Sequence, residues 1–439
     1  MADSPRYVTA LISALRLRNA EPERLQALDD SEWEQLLIFG DRMHLTIPLV
    51  QTCGDFCPRW VRLRADRNIE DNARRFQLIK NTYAELADAL REAHVDYLVL
   101  KGFTKSPDYA PNPRHRIQSD IDIFCPRDLI FRARDALYSI GYRSQHKFDD
   151  QPWDHLPPLR KKSEWRWRGN AYDPEMPLAV ELHHCFWDRA AVRCGPEGDI
   201  LFWQRRIGRR LEEISFPALH PIDNLGYCAL NLVRDLLRVG IVTSQVYELA
   251  WFLHRNSRND EFWNGWVQVH DEEVRRLESV SFLLARTWFH CDLSETAQAE
   301  IRRLPVSTRR WFEIEATSPS PMGWMRPNKD AIWLHSSLMR SAAEKRRIVF
   351  GRLLPRRVLP VDTAIANRVA NSSPNEEKGW HNYSQYFVYL FARVGYHLKI
   401  LPTTLWHGFC WWRAARPSKH ALPQSSAARN THCSEVTKK

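Results

Sequence analysis

Residues 97–124 read YLVLKGFTKSPDYAPNPRHRIQSDIDIF, and this stretch decides how the rest of the chain is read. It holds a short apolar run, a Lys101-Gly102 corner, a basic connection and then Ser119, Asp120, Ile121 and Asp122. In an extended strand side chains alternate, so Asp120 and Asp122 project from one face while Ile121 and Ile123 project from the other. Two carboxylates about 7 Å apart on one strand repel unless a cation lies between them. Mg²⁺ is the usual cation held by one or two carboxylates together with substrate phosphates. The pattern therefore predicts a metal–nucleotide site.

The flanking residues fit that reading. Residues 97–100 are uniformly apolar, as a buried strand is. Gly102 lets the backbone turn close to a phosphate, and Lys101 places a point charge there. Pro107, Pro111 and Pro113 exclude a long regular helix from the connection. RDLIFRARDALYSIGY reads as a helix closed by Gly141, with Leu129, Ala133, Ala136, Leu137 and Ile140 on one face. Farther on, SEWRWRG alternates as a strand with Trp165 and Trp167 on one side, for base stacking or, more simply, for packing. Asp150, Pro152, Asp154 and Pro157-Pro158 mark a loop overhanging the site. LAVELHH, residues 178–184, is the next strand, with Glu181 and His183 on one face and Val180 and Leu182 on the other. Glu181 is the third acid; His183 reads as a structural histidine or a partner behind the ligands.

Helical patterns lie on both sides. Residues 7–50 form helices, one of them capped by Ser31 with Glu34 and ended or bent by Pro48. Residues 60–94 form one long helix or two, amphipathic through Phe76, Ile79, Tyr83, Leu86 and Leu90. Helical periodicity runs from Pro221 to about Arg347, and returns in YSQYFVYLFARVGYHLKI and WHGFCWWRAAR. The expected organisation is α+β: a small mixed sheet with flanking helices, an N-terminal helical segment and a C-terminal helical domain. Its boundaries are a helical segment at 1–94, a catalytic domain at 95–216, a helical domain at 217–347 and a basic, aromatic extension at 348–439. The Ser/Ala/Lys-rich residues 416–439 form its disordered tail.

Composition narrows the class. At 439 residues the chain exceeds one compact core, and 44% hydrophobic with 26% charged residues is the balance of a soluble globular protein. A net charge of +10 favours anionic partners. Between Arg340 and Pro360 seven Lys/Arg face one acid, Glu344, which reads first as a solvated basic face. Nine cysteines without repeated spacing are simplest as reduced thiols, and the N-terminus lacks the pattern of a secretory signal. No uncharged apolar run approaches the length of a transmembrane helix, so a cytoplasmic location is expected. The segment 386–413 has two readings: a helix docked on the helical domain, or a helix pair lying on an anionic membrane.

Asp120, Asp122 and Glu181 suit a two-metal site for phosphoryl transfer, with two Mg²⁺ ions neutralising a triphosphate such as that of ATP. Glu181 would serve as general base or shared metal ligand. Lys101 and the Gly102 backbone would cradle phosphates, and Arg116 would add charge at the leaving pyrophosphate.

Lys101-Gly102, then Arg116-x-x-Ser119-Asp120-x-Asp122, then Val180-Glu181-Leu182-His183 resemble an uncharacterised nucleotidyltransferase family within the polymerase-β-like superfamily. The resemblance covers roughly residues 7–350 and is most specific at 97–124 and 178–184. It implies a small mixed sheet with flanking helices, Mg²⁺ as cofactor and transfer of a nucleoside monophosphate from an NTP. It also implies Lys101, Gly102, Arg116 and Ser119 as nucleotide-binding residues, and it gives a reaction class without naming an acceptor. A small molecule, peptide or protein acceptor is favoured over nucleic acid. The chain departs from the wider superfamily at its turn, Gly102-Phe103-Thr104, and in the long interval before Asp120. In the helical half, Asn231 and Asp235 stand where relatives often carry histidines. Two rivals remain: a non-catalytic member holding RNA or an anionic membrane through its basic surface, and a kinase-like phosphoryl transferase.

Overall fold

The structure is a computed structural model that describes residues 4–144, 154–198, 200–238, 240–319, 331–353 and 380–415. It begins with four helices: α1 (Arg6–Ala14), α2 (Asp30–Arg42), α3 (Thr46–Cys53) and α4 (Arg59–Glu92). The cap of α2 is Asp29 with Glu32, two residues ahead of the expected Ser31 and Glu34. Asp29 is extended and accepts from the Glu32 amide at 2.8 Å, while Ser31 is already inside the helix. Pro48 lies in the first turn of α3, where its missing N–H leaves no bond unmade. α4 is a single helix of 34 residues whose Phe76, Ile79, Tyr83, Leu86 and Leu90 are buried.

The sheet follows. Its strands are β1 (Leu98–Leu100), β2 (Asp120–Phe124), β3 (Tyr142–Ser144), β4 (Leu159–Lys161), β5 (Ala179–His183), β6 (Ile207–Leu211) and β7 (Ile214–Ala218). Helices α5 (Ile130–Ser139) and α6 (Arg189–Val192) lie between them in the chain. The spatial order is β3-β4-β5-β2-β1-β7-β6. β2 pairs parallel with β5 and antiparallel with β1, and β1 pairs parallel with β7, so the sheet is mixed. SEWRWRG does not join it. The Trp165 indole donates to Asp173 Oδ2 at 2.9 Å, and Trp167 points to solvent.

Register sorts the two faces. Ile121, Ile123, Val180, Leu182 and Val99 pack with α4 and α5 in one apolar core. The opposite face carries Leu98, Leu100, Asp122, Phe124, Glu181 and His183, and its apolar members join the core of the helical half. That half comprises α7 (Pro221–Arg238), α8 (Thr243–Arg255), α9 (Asp260–Val269), α10 (Glu272–Phe289), α11 (Glu295–Arg303), α12 (Val306–Glu315), α13 (Ala331–Ser337) and α14 (Ala342–Leu353). The N-terminal helices share its core: Leu11, Trp33 and Leu49 belong to the same buried cluster as Leu225, Leu249 and Phe282.

The final described helix, α15 (Trp380–Ala414), is one continuous element rather than a pair. No helix among the described residues is long and apolar enough to cross a membrane. Asp150, Pro152 and the tail 416–439 lie outside the described residues.

Candidate active site

Parallel pairing sets Asp122 of β2 directly beside Glu181 of β5. Asp120, two residues earlier on the same face, pairs with Ala179. The site lies between the sheet and α7, on the face turned to the helical half. Lys101, just past β1, reaches Asp122 Oδ1 with Nζ at 2.8 Å and lies 6.0 Å from the centre of the Tyr227 ring of α7.

His183 is the residue that the alternation pattern left in the background. Its Nε2 donates to Asp122 Oδ1 at 2.9 Å and lies 3.7 Å from Glu181 Oε2. Donor atoms of Asp122, Glu181 and His183 all fall within 4.8 Å of one another. Behind them, His183 Nδ1 is 3.7 Å from Asp154 Oδ2, and Asp154 is paired with Arg234 of α7. Asp154 arrives because residues 154–156 run along the end of β5: the His184 amide donates to Asp154 O and the Leu156 amide to Leu182 O, both at 2.9 Å.

Charge is distributed unevenly over this cluster. Burial alone would raise the Asp122 carboxyl, but Lys101 and the bond from His183 hold it well below the usual carboxylate range. Burial also works upward on Glu181, yet His183 and the charge of His155 keep it low. Asp120 has weaker compensation: burial, then the neighbouring charges of Asp122 and Glu181, push it up to about 7. Burial opposes the charge of His183, but Tyr227 and the three surrounding carboxylates hold the imidazole well above its ordinary value. Lys101 and His183 place positive charge among the buried acids that share this face.

The corner is built for closeness. Lys101 and Gly102 have φ of +49° and +50°, and a Cβ on Gly102 would come within 2.3 Å of the Gln118 side chain. Gln118 Nε2 donates to Asp120 O at 2.7 Å, while Arg75 of α4 donates to Gln118 O at 2.8 Å, so the corner braces the start of β2. Thr104 Oγ1 donates back to Lys101 O at 2.5 Å, which closes the turn. Ser119 is exposed, and its carbonyl accepts from the Ala179 amide at 3.1 Å.

Arg116 comes to the same region by another route. Its Nε donates to Glu248 Oε1 at 2.7 Å, and Lys105 Nζ donates to Glu248 Oε2 at 2.6 Å. Lys101, Lys105 and Arg116 line a narrow basic cleft with Tyr109, Asn231 and Gln245, enclosing about 20 Å³. A larger cavity of about 160 Å³ opens at Asp154, His155, Asp188, Arg234, Asp235 and Arg238. The contacts Lys101–Asp122–His183–Asp154 run from the first cavity to the second.

The structure thus brings Asp120, Asp122, Glu181, Lys101, Gly102 and Arg116 to one region, and leaves the Ser119 side chain at the surface. Sequence reasoning missed Glu248, Lys105, Gln118, Arg234 and the closeness of Asp154. Glu248 alone left a trace, as an acid on a helix whose neighbours Val246, Leu249, Phe252 and Leu253 are buried. The donor set fits a divalent cation: two adjacent carboxylates are the ordinary Mg²⁺ ligands, and the nearby imidazole adds a softer donor.

An acidic, cation-lined site on a mixed sheet, roofed by helices, defines an α+β protein whose Asp122, Glu181 and His183 could hold a metal ion. The chain belongs to a family described as an uncharacterised nucleotidyltransferase, which it matches over residues 29–290. That span takes in the whole sheet and helices α2–α10. No curated protein and no solved structure matches the chain in the same comparison.

Proposed function

We propose that the chain transfers a nucleoside monophosphate from an NTP to an acceptor, with Mg²⁺ and with release of pyrophosphate. The observation that carries this reading is the in-register pair Asp122–Glu181 beside Lys101, with donor atoms of Asp122, Glu181 and His183 inside 4.8 Å. Asp122 and Glu181 would hold the metal, and Asp120, two residues along the same face, stands beside them as the base. Bound Mg²⁺ supplies charge neutralisation to the triphosphate and to the oxygens of an in-line displacement.

The chain's own residues divide the remaining work. Lys101 exchanges its Asp122 partner for a phosphate oxygen, a small movement for a flexible ammonium. Arg116 and Lys105, at the narrow basic cleft, add positive charge on the side of the site that faces the NTP. The cavity at Asp154, His155 and Arg238 takes the acceptor. The acceptor's nucleophilic oxygen attacks the α-phosphorus, the bond to the pyrophosphate oxygen breaks, and the acceptor's proton passes to Asp120. Asp120 suits that role because burial and its two acidic neighbours make it the most basic of the three carboxylates. Glu181, held low, is the poorer base and the better ligand.

The test incubates the full chain with NTPs labelled at the α- or the γ-phosphate, Mg²⁺ and a cell extract as acceptor source. Transfer of the α-label with pyrophosphate release, absent in Asp122→Asn, supports the reading. Transfer of the γ-label assigns kinase-like phosphoryl transfer instead. Absence of NTP·Mg²⁺ binding by calorimetry, with salt-sensitive RNA binding, assigns a non-catalytic binding protein.

A further inference from the structure

The last described helix has two unlike faces. One docks. Trp411 Nε1 donates to Ser307 O at 2.7 Å, Trp333 Nε1 of α13 donates to Thr404 O at 3.0 Å, and the rings of Trp333 and Trp411 stack 6.0 Å apart. Gly408 permits the approach, since a Cβ there would fall 2.2 Å from the Trp333 ring. His407 adds a contact of 3.5 Å to Glu315 of α12. This face joins α15 to α12 and α13.

The outward face is apolar. Phe391, Val394, Leu398, Leu405, Phe409 and Trp412 are between 46% and 73% exposed. Their spacings of three, four and seven place them on one narrow stripe at 100° per residue, and Pro402 does not break the alignment of the two halves. Trp406, 63% exposed, flanks the stripe, as do the exposed Lys399 and Arg413. Residues 380–414 contain no Asp or Glu, against Arg393, Lys399 and Arg413.

A stripe of large apolar and aromatic groups that long is costly in water, and scattered exposed apolar residues do not align in this way. Its basic flank and lack of acid select the occupant: a surface that is apolar within and negative outside. We infer that α15 lies in the interface of an anionic phospholipid membrane, aromatic stripe inward and Lys399 and Arg413 reaching to the headgroups. The docked face would carry the helical half, and with it the sheet, to the lipid surface. This assignment is independent of the chemistry proposed for Asp122 and Glu181, which lie on the sheet.

The test is co-sedimentation of the full chain with vesicles of phosphatidylcholine alone and of phosphatidylcholine mixed with phosphatidylserine. The expected result is binding to the mixed vesicles that weakens as salt rises, with little binding to the neutral ones. Leu398→Glu with Phe409→Glu should lower vesicle binding by at least about tenfold while leaving the melting temperature unchanged, since both side chains face solvent. Lys399→Glu with Arg413→Glu should remove the preference for phosphatidylserine. Failure to sediment with either vesicle overturns the inference, as does binding that the Leu398→Glu, Phe409→Glu chain retains. Concentration-dependent dimerisation without lipid, abolished by that same pair, also overturns it and assigns the stripe to a second copy of the chain.

Discussion

Arg116, four residues ahead of Asp120, donates to Glu248 Oε1 of α8 at 2.7 Å, and Lys105 holds the other oxygen of the same carboxylate. One buried acid of the helical half thus fastens two cations of the loop that leads into the site strand. Removing one partner of a buried pair leaves charge uncompensated, which is far costlier than the pair itself is worth. Glu248→Ala should therefore destabilise the protein by about 3 kcal/mol, read as a lower urea midpoint. Glu248→Gln should recover part of the loss, because its amide oxygen still accepts from one of the two cations. An unchanged midpoint in Glu248→Ala would mean that the pair is open in solution.

The acids should separate activity from folding. Asp122→Asn and Asp120→Asn should each lower Mg²⁺-dependent NTP turnover by at least about a hundredfold while keeping a native circular dichroism spectrum. Asp120→Asn should melt at the same or a higher temperature, because it removes a charge that burial and two neighbouring carboxylates disfavour. Full turnover in both variants would place the chemistry elsewhere.

Metal binding should depend on pH in a definite direction. A cation held between Asp122 and Glu181 disfavours protons on its neighbours, so Asp120, pushed up to about 7, and His183, held protonated above its ordinary value, release protons when it binds. Mg²⁺ affinity should accordingly rise as pH increases through about 7, with buffer-dependent heats that report proton release. Asp120→Asn should flatten the rise. A pH-independent affinity in the unaltered chain would contradict the predicted coupling.

His270 gives a second pH dependence, inside the helical half. It bridges Glu278 at 2.9 Å and Asp223 at 3.2 Å. Burial opposes its charge, but Glu278 and then Asp223 raise the imidazole from 6.5 to about 9. A histidine raised on folding stabilises fully below its unfolded value, and that stabilisation is lost as pH climbs through the folded one. Unfolding free energy should fall by about 3 kcal/mol between roughly pH 6 and pH 10, and His270→Gln should abolish most of the slope. Equal urea midpoints at both ends of that range would contradict it.

Much of the site was legible because strand periodicity is a local rule. Alternation in DIDIF and LAVELHH fixed Asp120, Asp122, Glu181 and His183 to one face of their strands before any neighbour was known, and Ile121, Ile123, Val180 and Leu182 to the other. The Lys-Gly corner was marked in the same way, by a residue type that tolerates positive φ. SEWRWRG shows the limit of the rule, since its alternation is satisfied by an indole bond to Asp173 and an exposed Trp167 instead of a ladder. The cap of α2 shows another: Asp29 with Glu32 and Ser31 with Glu34 have the same spacing, and only the backbone at Asp29 chooses between them.

Sequence alone settled which residues could carry charge on the site face, that the chain mixes a sheet with many helices, and which family it resembles. Tertiary structure decided that Asp122 and Glu181 stand side by side, that His183 joins them, and that Glu248 and Asp154 answer the cations around them. The division has one physical cause. Side-chain direction follows from backbone geometry within a few residues, whereas strand register and the packing of α7 and α8 over the sheet depend on contacts between distant segments, which no local pattern records.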